Sequence, residues 1–168
     1  QTSLLGESML QTGLATVFAF AGAYAIARIS VRNLSRLRVL FAAVSASATI
    51  VAAYGVVQIA GIDPIWSDLP LGRVFSSFGQ PNWLAAYLVI TIPLTTALAI
   101  AVRRPLERLA GFGAVILQTA VLFATLSRSG YAGITAACIV GVVVALTRGL
   151  WIPGYRKKLI AAVAAFLA

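Results

Sequence analysis

Arg73 and Arg128 are the two cations of this chain that membrane orientation leaves unexplained. The chain carries 13 Lys plus Arg, and the others fall in three short groups. These are Arg28, Arg32, Arg36 and Arg38; Arg103, Arg104 and Arg108; and Arg148, Arg156, Lys157 and Lys158. Long apolar stretches separate the groups, so the chain can cross a bilayer twice between each pair. All three groups then face the cytoplasm, as the positive-inside rule expects. Arg73 and Arg128 come out on the opposite face. There, Ser127, Arg128, Ser129 and Gly130 form a compact anion-binding pattern. A helix N-terminus presents unpaired N–H groups and partial positive charge. Ser127 or Ser129 can cap it, Gly130 lets a ligand approach the backbone, and the Arg128 guanidinium matches phosphate geometry. The same residues also suit a short polar hairpin whose arginine reaches out to water. Arg73 taken alone suits a loop arginine paired with Asp63 or Asp68. Taken with Arg128 it makes two fixed cations beside lipid, a pairing suited to a diphosphate headgroup.

Other side chains near these arginines carry two readings each. Trp66, Phe75, Phe78 and Trp83 can stack on sugar rings or rest against acyl chains, and Trp is in any case favoured at the membrane interface. Asp63 and Asp68 can act as a general base on a sugar hydroxyl or serve as loop acids. Tyr54, Tyr87 and Tyr131 read as packing or interface residues. Asn82 suits the N-cap of the helix that follows it.

These residues need a scaffold, and composition determines its class. The chain is 61% hydrophobic and 10% charged, against roughly 25% charged in a soluble domain. Continuous apolar runs exclude the alternating pattern of an outer-membrane barrel, and a span in lipid must satisfy its own backbone. The expectation is an all-α, polytopic transmembrane helix bundle. The net charge of +9 follows from topology, and no basic stripe with interleaved aromatics supports a nucleic-acid partner. There is no histidine, and 4 acids with 1 Cys are too sparse for a metal cage. No cofactor is expected. Cys138, deep in an apolar run, reads as a small packing residue.

Five full spans are expected at about 9–27, 39–60, 83–102, 110–126 and 129–146, with a truncated sixth at 159–168. The stretch 110–146 decides the count. As one helix it would extend about 55 Å at ~1.5 Å per residue, against a hydrocarbon core of ~30 Å. It must fold back, and its one strongly polar point is 125–130. Arg103, Arg104 and Pro105 end the third span, and Glu107 makes a weak ion pair with these arginines. Loops 28–38, 103–109 and 147–158 are expected on the cytoplasmic side and the N-terminus outside. The chain opens at Gln1 and stops within an apolar run, so it reads as part of a larger single membrane domain cut at both ends.

Two segments, placed in this order, resemble the O-antigen ligase and polymerase superfamily. Arg73-Val-Phe-Ser-Ser-Phe-Gly-Gln-Pro-Asn-Trp-Leu-Ala-Ala-Tyr87 is similar to that family's Arg-x-x-Ser/Gly-x-x-Gly-Asn-Pro-Asn-x-x-Ala stretch. Thr125-Leu-Ser-Arg-Ser-Gly-Tyr131 is similar to its Ser-Arg-Gly/Ser motif. Tyr54-Gly-Val-Val-Gln-Ile-Ala-Gly-Ile-Asp-Pro64 resembles the segment that precedes the first motif. Gln80 departs from the usual Asn, a change that a purely turn-shaping position tolerates. The resemblance covers residues 40–146. It implies a metal-independent glycosyltransferase in the bacterial inner membrane. Its donor partner is a lipid-linked oligosaccharide on undecaprenyl diphosphate at the periplasmic face, and its acceptor is a glycan or lipid A-core. By position, Arg73 and Arg128 are implied to hold the diphosphate. Ser127, Ser129, Gly130, Gln80 and Asn82 are the implied substrate-binding positions around them. Family ligases carry a histidine in a later external loop, which this chain lacks, so the fragment alone is expected to be inactive. Two other classes stay open. One is a small-anion transporter, since some relatives in the superfamily are labelled bicarbonate transporters. The other is a scaffold subunit, intolerant at Ala43, Ser47 and Gly55 instead.

Overall fold

The computed structural model describes residues 14–31, 33–66, 69 and 72–147, with the side chains of Leu146 and Thr147 excepted. The expectations for Arg32, Asp68, the loop 148–158 and the span 159–168 lie outside the described residues. The described chain is all helical: α1 Leu14–Ser30, α2 Leu34–Ile59, α3 Pro81–Ala101, α4 Pro105–Ala124 and α5 Arg128–Thr147, with a 3-10 turn at Ser76–Phe78. By length and composition 4 of these helices, α2 to α5, can cross a membrane. The expected five full spans plus a sixth are therefore not matched. Of the first expected span, 9–27, residues 9–13 lie outside the described residues, and its described part falls in α1.

Two linkers are shorter than expected. The basic stretch 28–38 is mostly helix, because Arg28 closes α1 and Arg36 and Arg38 belong to α2. Asn33 supplies the break: its Oδ1 accepts the Arg36 N–H at 3.0 Å and caps α2. Arginine is a good helix former, so a basic cluster at an interface needs no loop. Likewise α4 begins at Pro105 and takes in Arg108, leaving 102–104 as the turn. Proline at the first helical position loses no hydrogen bond that the helix would have made, and both α3 and α4 start on one.

The chain divides into two compact units, residues 1–41 and 42–168. In the first, α1 has no buried residue. In the second, α3 is the central element. Its buried positions Leu84, Leu88, Thr91, Ile92, Thr95 and Ala99 recur every three to four residues, which places them on one face. Leu84, Leu88 and Ile92 cluster with Val121 and Leu122 of α4 and Ile134 of α5. Half-buried Cys138 packs against this core as a free thiol. Small residues let the backbones close up, the usual device in lipid. A Cβ on Gly111 would come 2.8 Å from the Ala99 Cβ. Gln118, fully buried on α4, donates from Nε2 to Thr49 Oγ1 of α2 and to Thr95 Oγ1 of α3, each at 3.2 Å. This polar contact ties α2 and α3 to α4 through one amide nitrogen.

The fold-back of 110–146 falls where chain length and polarity place it. Helix α4 ends at Ala124 and α5 begins at Arg128. Leu126 turns the corner at φ 50, a left-handed conformation that costs a non-glycine residue of order 1 kcal/mol.

Candidate functional site

The loop between α2 and α3 is built on one side chain, Gln58. It lies in the last turn of α2 and is 2% exposed. Its Oε1 accepts the N–H groups of Phe75 at 3.3 Å and Ser76 at 2.8 Å. Its Nε2 donates to Asp63 Oδ2 at 3.0 Å. Ser76 sits at φ 49, and its hydroxyl donates to the Val51 carbonyl at 2.7 Å. The strained residue is thus held from both backbone and side chain. These bonds reach a loop segment 17 residues further on. The polar residue in the last turn of an apolar helix was the available signal.

Asp63 closes the other half of the loop. Its carboxylate accepts the Tyr54 hydroxyl at 2.9 Å, Gln58, and the N–H groups of Ile65 at 2.9 Å and Trp66 at 3.4 Å. Burial pulls its pKa upward, but the bonds from Ile65, Gln58, Tyr54 and Trp66 outweigh that and hold it below the usual aspartate range. With its oxygens occupied by these bonds, Asp63 serves as a loop clamp. It does not pair with Arg73. A depressed carboxyl contributes stability above the unfolded value of about 3.9 and loses it as pH falls through the folded value. Thermal unfolding of the purified protein is therefore expected to show an acid-dependent loss concentrated below about pH 4. Asp63→Asn should flatten that step and lower the melting temperature at neutral pH.

Arg73 leaves this loop and reaches the α4–α5 corner. Its Nε donates to the Thr125 carbonyl at 2.8 Å, and its Nη2 to Asn82 Oδ1 at 3.0 Å. Beside it, the Val74 N–H donates to the Ala124 carbonyl at 3.2 Å. Thr125 is fully buried, and its hydroxyl donates to the Leu122 carbonyl at 2.7 Å. The loop carrying Arg73 is therefore fastened to the turn that leads into Arg128. Arg128 is exposed and has no hydrogen-bond or ion-pair partner among the described residues.

The start of α5 carries the expected cap. Ser127, 1% exposed, accepts the Gly130 N–H on its Oγ at 3.3 Å, and that Oγ lies 3.1 Å from the Ser129 Oγ. The N–H groups of Arg128 and Ser129 have no acceptor among the described residues and belong to the helix end that attracts anions. Gly130 has a different reason from the one expected. A Cβ there would lie 2.9 Å from the Ala85 Cβ and 3.2 Å from Leu122 Cδ1. Its bare face is packed against α3, and no ligand can approach it. Its N–H is also already used.

Two further positions differ from expectation. Gln80, not Asn82, is the residue before α3. Its backbone is extended, its side chain makes no capping bond, and its carbonyl accepts Trp83 and Leu84 N–H. Asn82, freed from capping, orients Arg73. Among the aromatics, Phe75 is 3% exposed and meets Trp66 edge to face at 5.4 Å, and Phe78 lies on Tyr87 at 5.1 Å. Only Trp66 and Trp83, at 50% and 61% exposed, keep open faces for a sugar or acyl chain. The hydroxyls of Tyr54, Tyr87 and Tyr131 are all hydrogen-bonded within the chain, as packing residues are. Among the described residues no group of His, Cys, Asp or Glu can hold a metal ion. Protein-family models, curated proteins and solved structures were compared with the chain, and none matches.

Proposed function

We propose that this chain is the donor-binding part of an O-antigen ligase-like membrane glycosyltransferase. In this reading Arg73 and Arg128 hold the diphosphate of a polyprenyl-linked glycan at the non-cytoplasmic face. The observation that carries it is the bond from Arg73 to the Thr125 carbonyl, three residues before Arg128. Two residues far apart in sequence belong to one corner, and that corner also offers two free N–H groups.

The chemistry follows from charge. The bond between the sugar anomeric carbon and the phosphate oxygen breaks, and the electron pair leaves with the diphosphate. Fixed cations and N–H dipoles stabilise that growing charge. The acceptor hydroxyl oxygen bonds to the anomeric carbon and gives its proton to a base. Arg73, held by Thr125 and Asn82, is preorganised and needs no rearrangement as charge develops. Arg128, unbound to protein, is free to close on the phosphate. The exposed faces of Trp66 and Trp83 suit the glycan or the first isoprene units.

The reading requires both arginines to be reachable from one compartment. Arg73→Cys and Arg128→Cys, each in a Cys138→Ala background of the full-length protein, are expected to react with a membrane-impermeant maleimide applied to spheroplasts. Labelling of one position only after permeabilisation would place the two on opposite sides and end the proposal.

A further inference from the structure

At the other end of α3 a cavity of about 230 Å³ opens between α2, α3 and α4. Its walls are mostly small and apolar, including Ala42, Ala46, Ala99 and Gly111, and Glu107 stands at its mouth. Ser45 also lines it, is 8% exposed, and its Oγ has no hydrogen-bond partner. It is the one such buried side-chain atom among the described residues. The adjacent Thr49 hydroxyl donates to the Ser45 carbonyl at 2.7 Å and accepts from Gln118, so it does not satisfy Ser45. A buried hydroxyl left unpaired costs about 1–3 kcal/mol. Apart from Ser45, Thr49, Thr95 and Glu107 the wall is apolar, so an occupant that both covers the wall and satisfies Ser45 is amphipathic.

The rim indicates its charge. Val102 and Glu107 line the mouth, and Arg103, Arg104 and Arg108 flank it, all exposed. Arg104 bonds Glu107 at 2.9 Å and Arg108 lies over the Phe112 ring, so this end of α4 carries three cations against one acid. Depth then matches a lipid. Ser45 and Ala99 line the same cavity, and Ala99 lies two residues, about 3 Å, inside the end of α3.

We propose that this cavity is a binding site for an anionic phospholipid. The phosphate sits among Arg103, Arg104 and Arg108. A glycerol ester carbonyl deeper in the cavity accepts the Ser45 hydroxyl, and the acyl chain lies along Ala46 and Ala99. The cavity lies at the end of α3 away from Arg73, and its test does not involve glycan transfer.

The test is native mass spectrometry of the full-length protein, delipidated in mild detergent and titrated with phosphatidylglycerol or with phosphatidylcholine of the same chains. Phosphatidylglycerol should be retained at least about fivefold more. Ala46→Phe, which fills the cavity, should remove at least about fivefold of that retention. Ser45→Ala, which preserves packing, should weaken it about two- to threefold. Arg103→Gln with Arg104→Gln should abolish the preference for the anionic lipid. Equal retention of the two lipids overturns the site. So does unchanged phosphatidylglycerol retention in Ser45→Ala, a variant whose fold is not in question and which reports on the hydroxyl even if Ala46→Phe misfolds.

Discussion

Arg128→Ala in the full-length protein is expected, on the proposed role, to lower glycan transfer by about 10²–10³-fold, the usual loss when one charge-stabilising donor is removed. The melting temperature should not move, because Arg128 is exposed and bonds to no described residue. That separation makes Arg128 the sharper of the two arginine tests. Arg73→Ala should cause a similar loss of transfer but also loosen the fold, since it cuts the ties to Thr125 and Asn82. Lysine should rescue neither. Its ammonium keeps the charge and loses the planar fork that grips two phosphate oxygens. At position 73 lysine also lacks the geometry to bond a carbonyl and an amide oxygen while facing a ligand. The measurement is single-turnover transfer from a polyprenyl diphosphate-linked glycan, with thermal unfolding run on the same preparations. Normal transfer by the double alanine variant would remove the proposed role outright.

Gln58→Leu should be the most destabilising single change in the loop. Leucine is close in volume, so packing is nearly preserved and the effect isolates hydrogen bonding. The change strands the N–H groups of Phe75 and Ser76 and removes a donor from Asp63. Each stranded buried group costs about 1–3 kcal/mol, so a total on the order of 3 kcal/mol is expected. Ser76 at φ 49 holds its conformation only while these bonds last, and its release moves the chain that carries Arg73. Transfer should therefore fall even at temperatures where the helices remain intact. A shift of less than about 1 kcal/mol in equilibrium unfolding, with transfer unchanged, would show that the loop does not depend on Gln58.

Much of the scaffold is legible in the residues taken in order. Apolar runs without alternation determine helices, because a spanning segment must bond its own backbone in lipid. The stretch 110–146 is too long for one crossing and polar at one point, so its reversal at 125–127 follows from length and solvation alone. Pro81 and Pro105 mark helix starts for a local reason, a missing N–H that costs nothing at that position. The serine cap of α5 is local in the same way. The basic linkers are largely helical: a positive cluster reports which side of a membrane it faces, and says little about whether its backbone is helical.

The site itself depended on contacts that no local pattern encodes. Arg73 had carboxylates nearby in sequence and bonds a carbonyl 52 residues away instead. Asp63 reads as either a base or a loop acid until the four groups that occupy it are seen. Gly130 reads as room for a ligand until Ala85 is found against it. In each case the side chain's role is decided by which neighbours desolvate and bond it, and only packing of α2, α3 and α4 brings those neighbours together. Thus residue order determined the helices and where they turn, since those depend on backbone bonding and polarity along the chain. Tertiary structure decided which polar groups are already satisfied and which stay free to meet a ligand.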